Sequence, residues 1–129
     1  MLQRYSPIAY SLMRFVVGSL FACHGSQKLF GVLGGHRELH DLEGLTAGVI
    51  EFFGGCAIAL GFFASIAAFV ACGEMAVAYF KAHAPRGYWP ILNRGELAML
   101  YCFVFLLVIF QGDGAYSLRA LWSRRKTKP

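Results

Sequence analysis

Three basic side chains lie within a long apolar segment near the N-terminus, LMRFVVGSLFACHGSQKLFG at positions 12–31. They belong to Arg14, His24 and Lys28. A helix turns by about 100° per residue, which places all three within one arc of roughly 120°. Charged side chains inside a membrane span usually face other helices or a cavity. We therefore expect this basic stripe to face the protein interior rather than lipid.

Three acidic residues in the later apolar runs supply matching charges. Glu51 and Glu74 lie within such runs, and Glu96 opens another. An unpaired charge at the bilayer centre is costly, so we expect ion pairs. Glu51 is predicted to pair with Arg14 or His24, and Arg14 has Glu74 as an alternative partner. The predicted polar core, which would also be the ligand site, comprises Arg14, His24, Lys28, Glu51, Glu74 and Glu96.

Other arrangements of the same residues stay open. A cluster near one membrane edge would contain His24, Lys28, Glu51 and Glu96. Each residue also has a purely structural interpretation. Lys28 could extend its ammonium group to the interface, Glu96 could be a first-turn acid favoured by the helix dipole, and His24 could be a packing residue. The other three could form a structural salt-bridge network.

The composition indicates a membrane protein in which four helices position these charges. Of the 129 residues, 57% are hydrophobic and only 15% are charged, whereas soluble domains carry about 25% charged residues. We predict an all-α fold, a polytopic four-transmembrane-helix bundle, with helices at about 8–30, 44–62, 65–83 and 96–112. The whole chain, 1–129, forms one domain that ends in a basic tail at 119–129. A soluble bundle would need a polar outer stripe, which FVFLLVIF at 103–110 lacks.

Small residues on the first two predicted helices indicate close helix packing. Glycines allow membrane helices to approach until their backbones touch. We predict this role for Gly18 and Gly25 on the first helix and for Gly48 and Gly55 on the second. The same surface could serve packing within one chain or a homo-oligomer, and the sequence does not distinguish the two.

Cysteine and histidine spacing argues against disulfide and metal chemistry. The four cysteines, Cys23, Cys56, Cys72 and Cys102, lie inside apolar runs and form no C-x-x-C pair. We interpret them as small hydrophobic residues and predict no disulfide. The loop histidines at positions 36 and 40 lack a third ligand at fixed spacing, so no metal site is predicted.

The distribution of positive charge predicts the orientation. An even number of spans puts both termini on one side of the membrane. That side carries Arg4, Arg119, Arg124, Arg125, Lys126 and Lys128. The opposite side carries Arg37, Arg86 and Arg94, with Lys28 and Lys81 near helix ends, so the difference is modest. By the positive-inside rule, both termini are predicted to be cytoplasmic. The net charge of +5 fits an anionic lipid surface, and no feature indicates nucleic-acid binding.

The chain resembles the DoxX family of small bacterial four-helix membrane proteins. The resemblance rests on RFVVGSLFACHGSQKLFG, GVIEFFGGCAIALGFF, the segment from GEMAVAYF to MLYCFVFL, and GDGAYSL. The matching motif positions are Arg14, Gly18, His24, Gly25, Lys28, Glu51, Gly55, Gly61, Glu96 and Ser117. The chain departs from the pattern at its end, where Asp113 replaces a frequent proline and Arg119 a frequent aspartate.

The resemblance implies a location in the bacterial inner membrane and a link to redox complexes. The family takes its name from a subunit associated with a thiosulfate:quinone oxidoreductase. A redox-associated subunit that binds a quinone or a small lipophilic ligand in its polar core is therefore the first hypothesis. His24 or Lys28 would donate to a quinone carbonyl, and Glu51 would relay the proton.

Two other functions stay open at this point. One is a small proton-coupled transporter in which Glu51 and Glu74 titrate. The other is a membrane anchor for a soluble partner enzyme. No flavin, haem, iron–sulfur or nicotinamide motif is present in the sequence. Catalytic residues therefore stay unassigned, and whether the chain is itself an enzyme is left open.

Overall fold

The first long helix begins after a single 3₁₀ turn at Leu2–Tyr5. A computed structural model describes residues 1–38 and 40–126. Helix α1 spans Ser6–Phe30, with Pro7 in its first turn, where a proline leaves no hydrogen bond unmade. It ends at Gly31, whose φ of 68° is left-handed and suits glycine. At 1.5 Å per residue, α1 is roughly 37 Å long.

Helix α2 spans Leu42–Leu60 and is interrupted near its middle. The Asp41 side chain caps its start by accepting hydrogen bonds from the backbone N–H groups of Glu43 and Gly44. The five residues Ile50–Gly54 form a π-helical turn. Such turns are rare and often occur at functional sites. This one contains Glu51.

Helix α3 spans Ala64–Arg86 and includes a second π-helical turn at Tyr79–His83. A short turn from Gly61, also left-handed with a φ of 69°, connects it to α2. The cap at its start comes from a distant residue, because Asp113 Oδ1 accepts a 2.7 Å hydrogen bond from the Ala64 N–H.

Three further helices complete the described chain. Helix α4 is short, Pro90–Asn93; α5 spans Glu96–Gln111; and α6 spans Leu118–Lys126. Helices α3 and α5 pack closely because their contact face is rich in alanine. Its fully buried residues are Ala64, Ala68, Ala71, Phe105 and Val108. Phe21 of α1 packs on this pair, with its ring centroid 4.7 Å from that of Phe105.

The all-α prediction is confirmed for the residues that the structure describes. Three helices are long and apolar enough to cross a membrane, namely Leu2–Phe30, Leu42–Leu60 and Ala64–Arg86. Glu96–Gln111 is also apolar but shorter, at 16 residues. Helices α4 and α6 were not expected. Lys128 of the predicted basic tail lies outside the described residues.

The outside of the helices is more apolar than parts of their interior. Large apolar side chains such as Phe69, Phe103 and Phe110 are exposed, whereas Arg14 and Glu51 are buried. In water this arrangement would leave extensive apolar surface exposed. It fits a protein surrounded by lipid, in which charged groups face other helices.

Candidate binding cleft and polar core

Helices α1 and α2 touch backbone to backbone through two pairs of glycines. A Cβ added at Gly18 would lie 2.7 Å from the carbonyl oxygen of Gly55, and one at Gly55 would lie 2.6 Å from that of Gly18. A Cβ at Gly25 would lie 2.7 Å from the carbonyl oxygen of Gly48. The structure thus places all four predicted packing glycines at an interface within one chain.

This close approach brings Lys28 of α1 to Glu51 of α2. The Lys28 Nζ lies 2.9 Å from Glu51 Oε1. Glu51 is only 4% exposed, while Lys28 is half-buried. The second carboxylate oxygen, Glu51 Oε2, is buried and accepts no hydrogen bond from any residue that the structure describes.

The predicted partners of Glu51 are corrected by this geometry. Glu51 forms its ion pair with Lys28 rather than with Arg14 or His24. The helices run antiparallel, and the glycine contacts fix their register so that Arg14 lies opposite Ile58 and Ala59. Ala59 is eight residues beyond Glu51, roughly 12 Å along α2. Arg14 therefore cannot reach the carboxylate.

Arg14 instead donates to backbone carbonyls at the end of α2. One terminal nitrogen donates to the carbonyl oxygens of Ile58 and Ala59, the latter at 2.9 Å, and the other donates to that of Tyr116 at 2.9 Å. The last carbonyls of a helix have no partners within it and carry its negative dipole end. We call this arrangement the Arg14 site. Arg14 is 2% exposed, and its expected pairing with Glu74 is also wrong.

Glu74 lines a cleft between α2 and α3 together with the Lys28–Glu51 pair. The cleft has a volume of about 840 Å³, and we call it the α2–α3 cleft. Glu74 Oε2, like Glu51 Oε2, is buried and has no hydrogen-bond partner in the described chain. Two residues that line one cleft thus each have a buried carboxylate oxygen without a donor in the described chain.

The rest of the α2–α3 cleft is apolar along its walls and charged at its exposed end. The wall residues include Ile50, Val70, Met75 and Val77, of which Val70 and Val77 are about half exposed. The exposed end carries Glu38, Asp41, Glu43 and Lys81. Lys81 of α3 bridges to α2 by bonds of 2.7 and 2.8 Å to the Glu43 carboxylate. The cleft therefore has the polar end and apolar walls that an amphiphilic molecule requires.

Comparison with known proteins identifies the family to which these helices belong. The family model of DoxX matches residues 9–84, a range that contains most of α1, all of α2 and most of α3. This chain belongs to the DoxX family. A protein of Haemophilus influenzae, described as uncharacterized, is 41% identical over 124 residues, which cover 91% of this chain and 92% of that protein. No solved structure matches the chain.

In this DoxX protein, the other predicted polar-core residues lie apart from the cleft. The His24 ring is half-buried against Tyr101, with 6.1 Å between ring centroids in an edge-on arrangement. Glu96 is exposed at the first position of α5. Of the six predicted residues, the structure thus brings together Lys28, Glu51 and Glu74.

Two polar residues of this DoxX protein were missed by sequence reasoning. Lys81 lies two helical turns after Glu74 on the same face of α3, and this spacing could have suggested its place at the cleft. Asn93 is buried and organises the loop before α5. Its amide donates to the Gly87 carbonyl, and its side-chain oxygen accepts from the Gly95 N–H, both at 2.8 Å. A lone loop asparagine gives no such signal.

The described residues include candidate metal ligands and four thiol groups. Among residues 1–38 and 40–126, no three His, Cys, Asp or Glu side chains come together in a way that could hold a metal ion. All four cysteines are free thiols. The Sγ atoms of Cys72 and Cys102 nevertheless lie 3.5 Å apart across α3 and α5. The absence of a disulfide during isolation stays a prediction.

Proposed function

We propose that this DoxX protein is a membrane-embedded subunit that binds the polar end of a small lipophilic ligand in the α2–α3 cleft. The observation that carries the proposal is that Glu51 and Glu74, which line an apolar-walled cleft, each have one buried carboxylate oxygen without a hydrogen-bond partner in the described chain. Buried polar atoms almost always have a partner. Ligand sites are mostly apolar and contain a few convergent polar groups.

A quinone is the ligand that the link to quinone oxidoreductases suggests. Lys28 could donate to a quinone carbonyl, and Glu51 beside it could pass a proton. Two points make a quinone a weaker candidate than a ligand with hydrogen-bond donors. A quinone has only acceptor oxygens and cannot serve the two unpartnered carboxylates, and His24 does not line the cleft. The link to a soluble redox enzyme rests on the resemblance alone, and its test is stoichiometric co-purification.

The proposal places the four apolar helices across the bacterial inner membrane, with both termini in the cytoplasm. Basic residues at the terminal end of the bundle, including Arg4, Arg119, Arg125 and Lys126, support this orientation. The exposed end of the cleft would then lie at the periplasmic interface. A reporter that is active only in the periplasm should show no activity when it is fused to the C-terminus. Strong activity would show that the termini lie in the periplasm.

Photolabelling tests the binding site directly. The probe is octanol carrying a diazirine in its chain, applied to the full-length protein in lipid nanodiscs. We expect labelled peptides to contain the wall residues Ile50, Val70 or Val77. Ala47→Trp, which places a large ring in the cleft, should reduce this labelling; Leu97→Trp on the exposed face of α5 is the matched control. Labelling spread evenly over lipid-facing residues, and unchanged by Ala47→Trp, would refute the proposal.

A second candidate function is proton-coupled transport. It is favoured because Glu51 and Glu74, two carboxylates on different helices, line one cleft together with Lys28, which pairs with Glu51. The protein would be reconstituted into liposomes that contain a pH-sensitive dye and carry a pH gradient. Transport predicts faster decay of the gradient with the protein than with Glu74→Gln. Equal decay with both proteins and with empty liposomes removes this candidate.

A further inference from the structure

We propose that the α2–α3 cleft selects a ligand whose polar end is a protonated amine. The inference rests on the proposed function, because it names the chemical class of the ligand in that same cleft. It depends on three features: the charge balance of the lining, the two unpartnered carboxylate oxygens and the apolar walls.

The charges that line the cleft are unbalanced. Five carboxylates, those of Glu38, Asp41, Glu43, Glu51 and Glu74, face two ammonium groups, those of Lys28 and Lys81. This leaves a formal charge of −3.

Both lysines are already engaged. Lys28 pairs with Glu51 at 2.9 Å and Lys81 with Glu43 at 2.7 Å. Asp41 caps α2. Glu74 has no cationic partner within the part of the chain that the structure describes. A cation entering the cleft would therefore lower the electrostatic energy of its buried end, whereas an anion would raise it.

The two unpartnered oxygens also determine how many donors the ligand needs. Glu51 Oε2 and Glu74 Oε2 are both buried acceptors. A primary ammonium group has three N–H donors, which is enough for two acceptors. A hydroxyl group has one donor, and a quinone has none.

A bare metal ion fits the cleft less well than an ammonium group. Within residues 1–38 and 40–126, no cluster of three metal-ligating side chains exists. An alkylammonium ion, unlike a metal ion, also has a hydrocarbon chain that can contact the apolar walls of the cleft. Val70 and Val77 are about half exposed, so the cleft is open towards lipid, from which an amphiphilic amine would enter.

The test compares two probes that differ only in their polar end. A diazirine-bearing octylamine and the matching octanol label the full-length protein in nanodiscs, with 2-phenylethylammonium and 2-phenylethanol as competitors. We expect the ammonium to displace either probe at a concentration about tenfold lower than the alcohol, because hydrogen bonds between two ionised groups are stronger than those of a neutral hydroxyl group. Glu74→Gln should remove most of this preference while labelling by the alcohol persists.

Two control variants accompany this test. Glu96→Gln removes a carboxylate that the structure places on the exposed start of α5, outside the cleft, and should leave the preference unchanged. Glu38→Gln removes a carboxylate from the exposed end of the cleft and should weaken the preference less than Glu74→Gln does. It also provides a test if Glu74→Gln does not fold.

The outcomes separate this inference from the proposed function. Equal displacement by the ammonium and the alcohol, with labels in the cleft, would overturn the amine preference and leave the binding site standing. Failure of both probes to label the cleft would overturn both. Displacement of the amine by potassium chloride as effective as that by 2-phenylethylammonium chloride would show a site for inorganic cations and overturn the inference.

Discussion

The two ends of the α1–α2 pair supply hydrogen-bond partners to buried charge to different extents. At the Arg14 site, both terminal nitrogens of the guanidinium group donate to backbone carbonyls from α2 and the segment before α6, and Nε alone has no partner in the described chain. At the α2–α3 cleft, two carboxylates each keep a buried oxygen without a partner. The first arrangement closes a helix end and connects distant segments. The second leaves binding capacity unused, which is the feature expected of a ligand site.

The comparison shows that burial of a charge does not by itself indicate function. Arg14 and Lys28 lie on the same stripe of α1 and both contact α2, and at sequence level they look equivalent. The two residues differ in their partners: Arg14 donates to backbone carbonyls, whereas Lys28 pairs with the Glu51 carboxylate. Substitutions that act on one end and not the other can therefore test the distinction.

The largest effect is expected at the Arg14 site. Arg14→Ala would remove the side-chain donor that the carbonyls of Ile58, Ala59 and Tyr116 share, and the Ile58 carbonyl would keep only the Gly61 N–H. We expect a loss of about 3 kcal/mol in the free energy of unfolding. Titration with sodium dodecyl sulfate from mild detergent measures the change. Arg14→Lys should recover only part of it, because one ammonium group cannot reproduce the planar fork. A loss confined to ligand labelling, with stability intact, would make Arg14 a functional residue.

A somewhat smaller effect is expected at the glycine contact that joins the two ends. Gly55→Ala would place a Cβ 2.6 Å from the Gly18 carbonyl oxygen, so the helices must separate, at about 2 kcal/mol. Gly73→Ala is the matched control, since its Cβ would meet nothing within 4 Å. The same titration reports both variants. Equal effects of the two changes would show that the close contact is absent in solution.

The Lys28–Glu51 pair should show a coupling of about 1 kcal/mol in a double-mutant cycle. Lys28→Gln should destabilise more than the double variant, because it leaves Glu51 buried and uncompensated. Thermal unfolding in detergent gives the four values. The corresponding cycle of Arg14→Gln with Glu51→Gln should be additive. Coupling in that second cycle alone would support the predicted pair of Arg14 and Glu51 and contradict the observed register of α1 against α2.

The smallest effect on ligand binding is expected from a disulfide crosslink between α3 and α5, away from the cleft. The thiols of Cys72 and Cys102 should form a disulfide on treatment with copper–phenanthroline, since their Sγ atoms are 3.5 Å apart. Mass spectrometry of peptides should show this crosslink only with oxidant, and a Cys72→Ser control should lack it. Probe labelling of the cleft should stay unchanged if the cleft is preformed. A crosslink without added oxidant would contradict the prediction of free thiols.

The sequence predicted those features that depend on local composition. Runs of apolar residues predicted the long helices, because length and hydropathy are read directly along the chain. Glycines on one helical face indicated close packing, and the structure places Gly18 and Gly55 in reciprocal contact. The acidic residues Glu51 and Glu74 were also predicted to belong to a polar core, and both line the α2–α3 cleft.

The partners of the charges depend on geometry that the sequence does not encode locally. Whether Glu51 meets Lys28 or Arg14 is determined by the register of α1 against α2 and by the π-helical turn at Ile50–Gly54. Neither has a signal in residue spacing. Arg14 was predicted to form an ion pair with an acidic side chain, whereas it donates hydrogen bonds to the backbone carbonyls at the end of α2.

The cap on α3 has a consequence for biosynthesis. The Ala64 N–H donates its hydrogen bond to Asp113, 49 residues later in the chain, and Arg119 pairs with the same carboxylate at 3.2 Å. At the usual elongation rate of about 5–20 residues per second, the ribosome reaches Asp113 roughly 2 to 10 s after Ala64. The turn between α2 and α3 therefore stays incomplete during this interval. Its last hydrogen bond forms only after Asp113 has been synthesised.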